Sequence, residues 1–317
     1  MQKITYVVLA NLGGPNKKGE VRNFLFNLFN DKYIIPLPRI PRFLLAHLIS
    51  FFRAKKSQKE YDKMGGFSPI LRNTEKQQNL LQKALGDNFK VLIAMSYSSP
   101  FMCEAFSQIK IEKINKVILL PLYPQYSITT TKSSAAKFCK TASRYNIQTI
   151  DIIPYFFENP KYIESCTGKI RNEITKFKDK SKPMVILFSA HGIPKDFVQK
   201  WNDPYEQQIN KTASLIIQNL KKQDIIFEDK VCFQSRVGPK EWLKPYIQTI
   251  IPEYMGYNMI VFPIAFVSEH LETLVELDHQ YQELANKCNV YEYRRAKTPS
   301  ECPLFIECLK EEVLRKS

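Results

Sequence analysis

Apolar residues along the chain fall into short continuous runs that end in turn residues, separated by stretches in which apolar positions recur every third or fourth place. Ile4–Asn11 is apolar and β-branched and breaks at Gly13-Gly14-Pro15. Lys90–Met95 ends in Ser96-Tyr97-Ser98-Ser99-Pro100, Val117–Tyr126 opens into the hydroxyl-rich Ser127–Ser134, and Thr149–Pro154 follows. Continuous apolar runs read as strands buried on both faces of a parallel sheet, and the periodic stretches between them as helices. The second half repeats the order with Met184–Ser189, Lys230–Ser235, Met259–Phe266 and Val290–Tyr293. The third strands even share a form, since Ile118-Leu-Leu-Pro and Ile260-Val-Phe-Pro place a proline alike. The pattern predicts an α/β protein of two similar Rossmann-like halves, each a parallel sheet of about four strands flanked by helices. The halves divide as residues 1–155 and 156–317, with a cleft between them lined by loops at strand carboxyl ends.

Residues 21–63 differ. Phe43–Phe52 is an apolar run followed by Arg53, Lys55, Lys56 and Lys59. It is too short to span a bilayer, which takes about 20 apolar residues. An interfacial membrane contact, a greasy lip over a pocket and a core helix with a solvated basic end all fit it. Arg72–Leu85 reads as an amphipathic helix and Pro303–Arg315 as a closing one.

Length and composition bound the rest. The 317 residues suffice for two cores, and 44% hydrophobic with 24% charged residues is the make-up of a soluble globular protein. The net charge of +15 suits an acidic partner, whether nucleic acid, an anionic membrane or a carboxylate-bearing substrate. The lysines are dispersed rather than interleaved with aromatics along a stripe, which sets nucleic acid aside. The seven cysteines are scattered and include no Cys-x-x-Cys, so they predict neither a disulfide framework nor a zinc knuckle. They fit a reducing cytoplasm. The N-terminus runs directly into the first strand without the regions of a signal peptide, and Gly13-Gly14-Pro15 lacks the third glycine of a dinucleotide fingerprint.

Two stretches carry candidate chemistry. Met184–Phe188 leads into Ser-Ala-His191-Gly-Ile-Pro194, placing His191 at the carboxyl end of a buried strand, where open α/β sheets bind ligands. A structural, hydrogen-bonding histidine is the plain alternative. In Phe266–Asp278, Ser268 is placed to cap a helix whose Glu269, Glu272 and Glu276 recur on one face. The helix dipole accounts for acid in a first turn, though not for Glu276. His270 and His279 fall in the same region. Imidazole facing carboxylate suits divalent metals such as Fe(II) or Zn(II), and equally proton transfer near neutral pH.

Taken in order, Leu12-Gly-Gly-Pro15, Gly65-Gly-x-Ser-Pro-Ile70, Tyr123-Pro-Gln-Tyr-Ser127, Phe188–Pro194, Asp203-Pro-Tyr205, Phe233-Gln-Ser-Arg-Val-Gly-Pro239 with Trp242-Leu243, and Pro263–Asp278 resemble the ferrochelatase family end to end. Members of that family insert Fe(II) into protoporphyrin IX to make protohaem, releasing two protons. The resemblance implies a chelatase fold, His191 as the essential histidine that contacts metal and accepts pyrrole protons, and Glu272 facing it across the porphyrin. It places Glu269, His270 and Glu276 on a metal or proton path, with Glu269 standing where aspartate is common. It puts Arg53, Lys56, Ser68, Tyr97 and Tyr123 at porphyrin-binding positions.

The family often carries arginine where this chain has Ser96, which removes a charge available to a propionate. Some members hold a [2Fe-2S] cluster through a cysteine in the loop where Ile128 stands and three more in a C-terminal extension. Cys302 and Cys308 are only two of the four thiolates such a cluster needs, so no cofactor is expected, and Fe(II) enters as substrate. Peripheral contact on the inner face of a membrane is the further expectation. A chelatase for another metal or tetrapyrrole, and a non-catalytic tetrapyrrole carrier, are the alternatives.

Overall fold

In a computed structural model that describes residues 3–317, the chain forms two compact units. One comprises residues up to Phe156 together with Ile306–Ser317, the other Phe157–Phe305. The sequence division kept 156–317 together; the last residues instead group with the first unit, where Lys116 Nζ donates to the Lys316 carbonyl and Lys316 pairs with Asp151 at 3.2 Å.

The first unit holds β1 (Ile4–Asn11), β2 (Phe89–Met95), β3 (Ile114–Pro121) and β4 (Ile150–Ile152), all parallel, in the order β2-β1-β3-β4. The second repeats this with β5 (Met184–His191), β6 (Glu228–Gln234), β7 (Asn258–Pro263) and β8 (Glu292–Arg295), ordered β6-β5-β7-β8. In each sheet the first strand of the unit lies second, with a neighbour on either side. Val7, Val8 and Leu9 of β1, and Val185 to Phe188 of β5, are wholly buried. Each such side chain contributes roughly 1.5–3 kcal/mol relative to exposure, which is why a polar residue is not tolerated there without a partner. Tyr6, Val8, Leu92, Phe106, Leu119 and Phe138 form one core cluster, and Val185, Leu187, Ile247, Val261 and Leu277 another.

The third strands stop at Pro121 and Pro263, short of the expected Tyr126 and Phe266, although the apolar run continues beyond them. After each comes a π-type turn, Ile128–Lys132 in the first unit and Glu272–Tyr281 in the second. Such i→i+5 turns are rare and concentrate at functional sites.

The divergent stretch folds as α1 (Val21–Phe29) and α2 (Arg39–Asp62), with α3 (Ile70–Leu85) after the glycine loop. Phe26 packs edge-on against Phe43 with centroids 5.6 Å apart, and Arg22 and Arg53 lie over the rings of Phe51 and Phe29. Much of α2's apolar surface stays exposed: Ile40 is 73% exposed and Phe52 74%, with Leu44, Leu48 and, despite Arg22, Phe51 also exposed. Among the described residues no helix is long and apolar enough to cross a membrane.

Candidate active site

The second unit gathers His191, Gln234, Ser235, His270, Glu272 and Glu276 at the carboxyl ends of its strands. His191 closes β5 and stands in register with Gln234, the last residue of β6. Its backbone is pinned by the Tyr205 hydroxyl, which donates to the His191 carbonyl at 3.0 Å. Gly192 follows in a tight spot: a Cβ there would lie 3.1 Å from both the Gln234 carbonyl and the Trp242 ring. The imidazole sits edge-on to Trp242 and Phe266, each with centroids 6.4 Å away. Its Nδ1 is buried without a hydrogen-bond partner. Burial lowers the His191 pKa, Glu272 pulls it back up and His270 pushes it down; the net is below the ordinary 6.5. The ring is therefore neutral at pH 7 and able to take a proton.

His270 faces Glu272, with Nε2 3.2 Å from Oε2. If Nε2 donates to that carboxylate, the buried and unpartnered Nδ1 presents a bare lone pair. Phe266 covers the His270 ring at 4.4 Å. Glu272 opens the π-type segment and Glu276 lies within it. The Glu276 carboxylate accepts from the Ser235 hydroxyl and from Gln234 Nε2 at 3.1 Å. Gln234 Nε2 also donates to the Glu272 carbonyl at 3.2 Å, while the Ser189 hydroxyl donates to Gln234 Oε1 at 2.7 Å. Gln234 thus links three of the site's elements through one amide. Ser235 holds φ +64°, a left-handed turn that brings its hydroxyl to Glu276.

Glu269 lies elsewhere. The helix begins only at Leu271, so Ser268 does not cap it and Glu269, Glu272 and Glu276 do not share a helical face. The His270 carbonyl closes the first turn by accepting from Leu274, and Thr273 Oγ1 accepts from the His270 N–H. The Glu269 carboxylate instead takes both oxygens to Arg295 Nη1, at 2.9 and 2.8 Å, and accepts from the backbone and hydroxyl of Thr298. Burial would raise its pKa, but Arg295 and these hydrogen bonds hold it below the usual carboxylate range. His279 is exposed. Among the described residues no group of three or more His, Cys, Asp or Glu side chains is arranged to hold a metal ion.

In the first unit the expected porphyrin contacts are differently placed. Arg53 is half-buried over Phe29, while Lys56 is exposed on α2. Ser68 is buried against Gly14, where any Cβ would come within 2.5 Å of it, and its Oγ accepts from the Ile70 N–H. Tyr97 is buried with its hydroxyl on Asp31 at 2.9 Å. The Tyr123 hydroxyl is shut from solvent near Ser96 and Ser134, and burial pushes it up to about 12. Ser96 Oγ lies 3.1 Å from Ser134 Oγ.

The ferrochelatase family model matches residues 5–317. A ferrochelatase of Rickettsia bellii is 43% identical over 98% of this chain and 86% of its own, and one of Cyanothece is 42% identical over 97% and 81%. The chain belongs to the ferrochelatase family. Solved structures add the fold: the sirohydrochlorin chelatase SirB of Bacillus subtilis subspecies spizizenii, in complex with cobalt, superposes with a TM-score of 0.59 at 9% identity, covering 99% of this chain and 95% of its own. SirB with Fe3+ gives 0.56 at 10%, covering 99% and 95%. At such identity the likeness speaks for the two-sheet chelatase architecture alone.

Within this ferrochelatase-family site, Gln234, Ser235 and Arg295 were not marked from sequence as site residues. A neutral amide and a hydroxyl carry no charge signal, and only the β5–β6 register sets Gln234 beside His191. The Arg295 partner of Glu269 lies one strand away on β8, where it pairs with Val261 of β7.

Proposed function

We propose that this chain inserts Fe(II) into protoporphyrin IX to form protohaem, with His191 accepting a pyrrole proton and Glu272 serving the metal and proton side. The observation that carries this reading is a neutral, buried imidazole with an unpartnered Nδ1, set in the field of a carboxylate that a second histidine holds. A flat porphyrin hides its nitrogen lone pairs and keeps two N–H protons that must leave as the metal enters. A neutral histidine supplies the base, and a carboxylate offers a hard ligand to Fe(II) as it approaches. Holding the macrocycle bent spends binding energy on the shape of the transition state. Glu276, oriented by Gln234 and Ser235, is the next carboxylate along a path for protons or metal. Glu269, tied to Arg295 and Thr298, holds the turn that leads into His270 and Glu272. Arg53, Lys56, Ser68, Tyr97 and Tyr123 serve the porphyrin, and Fe(II) is substrate rather than resident cofactor.

No [2Fe-2S] cluster is part of this reading; an iron–sulfur absorption band in anaerobically purified protein would overturn it. The exposed apolar face of α2, flanked by Arg53, Lys55, Lys56 and Lys59, supports reversible contact with an anionic membrane surface on the cytoplasmic side. The reaction itself is tested by mixing protein anaerobically with protoporphyrin IX and Fe(II) and following free-porphyrin fluorescence. Loss of many porphyrins per protein supports insertion; stoichiometric quenching without metalloporphyrin formation would favour a carrier.

A further inference from the structure

Asp31, just past the end of α1, carries a buried carboxylate with four hydrogen bonds. Oδ1 accepts from the Tyr33 N–H at 2.8 Å. Oδ2 accepts from the Tyr97 hydroxyl at 2.9 Å, from the Ser133 hydroxyl, and from Lys137 Nζ at 2.8 Å. The same ammonium lies 3.9 Å from the centre of the Tyr97 ring. A buried ion pair is a poor source of stability, because desolvation offsets most of its attraction. What it supplies here is geometry, and it supplies it at two ends. At one end Oδ1 holds the Tyr33 N–H inside the turn between α1 and α2, which the Asp31 carbonyl also closes by accepting from Ile34 and Ile35. At the other, Tyr97 sits just past β2, its N–H on the Leu12 carbonyl and its own carbonyl accepting from Asn27 of α1. Tyr97 lines a cavity of about 380 Å³ together with Pro15, Phe24, Phe26 and Asn27.

We propose that Asp31 is a positioning residue for porphyrin binding: through one carboxylate it ties the Tyr97 ring to the turn between α1 and α2 in a single arrangement. The substrate then meets a surface already ordered and does not spend binding energy on ordering it. The proposal rests on the reading of the chain as a porphyrin-binding enzyme to which Tyr97 contributes.

The test is protoporphyrin binding without metal, by fluorescence, alongside insertion kinetics and thermal unfolding. The variants are Asp31→Asn, Lys137→Met and their combination. Asp31→Asn leaves Lys137 without its counter-charge; porphyrin Kd and KM are expected to rise about tenfold, the worth of one charge-assisted hydrogen bond, with kcat within about twofold. The double variant removes both charges while the introduced amide oxygen still accepts from Tyr97 and Ser133, and it is expected to recover most of the binding. Should Asp31→Asn fail to fold, Tyr97→Phe deletes only the hydroxyl and is expected to show the same split. Unchanged Kd in Asp31→Asn, a fall in kcat at constant KM, or a double variant no better than the single one would each overturn the proposal. If the unaltered protein binds no porphyrin, the functional reading itself fails, which a binding-competent wild type with an unaffected variant does not imply.

Discussion

Replacing Arg295 with methionine strips the counter-charge from two carboxylates at once. Its guanidinium donates to Asp278 at 2.6 and 2.7 Å and to Glu269 at 2.9 and 2.8 Å, and its side chain is only 6% exposed. Removing one member of a buried ion pair costs about 3–5 kcal/mol, because the other is left charged and desolvated. Water reaches Glu269 and Asp278 in part, their side chains being 19% and 32% exposed, so the low end, about 3 kcal/mol, applies. For a unit of this size that is a fall of roughly 6–12 °C in Tm. The pH dependence has a definite sign. In the native protein burial raises the Glu269 pKa, but Arg295 and the hydrogen bonds from Thr273 and Thr298 together outweigh it, so its folded value lies below the unfolded one. Its stabilisation is present above the unfolded value and is lost as pH falls through the folded value. Without Arg295 the opposing charge is gone and only the Thr273 and Thr298 hydrogen bonds still work against burial, so the folded value rises; the variant's deficit is largest at neutral pH and shrinks as the carboxyl protonates. Thermal unfolding of both proteins from about pH 4 to 8, a range that spans the ordinary carboxylate titration, measures this. A Tm indistinguishable from wild type at neutral pH, or a deficit that grows on acidification, would refute the reasoning.

Other consequences follow from the site. Because His191 must be neutral to act as base and its pKa lies below 6.5, insertion is expected to be flat near neutrality and to fall on acidification below that value; a rate that rises there contradicts the assignment. Gly192→Ala sets a methyl 3.1 Å from Trp242 and the Gln234 carbonyl, and is expected to cost about 1–3 kcal/mol in chemical denaturation together with a loss of insertion; equal stability contradicts the tight fit. Replacing exposed Phe51 and Phe52 with glutamate is expected to abolish binding to phosphatidylserine vesicles at low salt, and undiminished sedimentation with vesicles counts against the α2 surface.

The fold was legible because the central strands are continuous apolar runs buried in a parallel sheet, and because the order of runs repeats. Strand ends were less so, since the runs pass through Pro121 and Pro263, where the strands end, without a change in polarity. His191 announced itself by standing where an apolar run meets a small-residue turn. The acidic cluster was legible as a concentration of charge and not as geometry. Glu269 looked like part of a helical face, and its true partner, Arg295, is brought close by the β7–β8 register. Asp31 gave no local sign at all, because its partners Tyr97, Ser133 and Lys137 come from distant parts of the chain.

The central claim is that His191 and Glu272 carry the insertion chemistry rather than the binding of porphyrin. Anaerobic Fe(II) insertion into protoporphyrin IX, measured beside porphyrin affinity in His191→Ala and Glu272→Gln, tests it most directly. The account predicts affinity near wild type with turnover abolished in both. Wild-type-like turnover in either variant would contradict it.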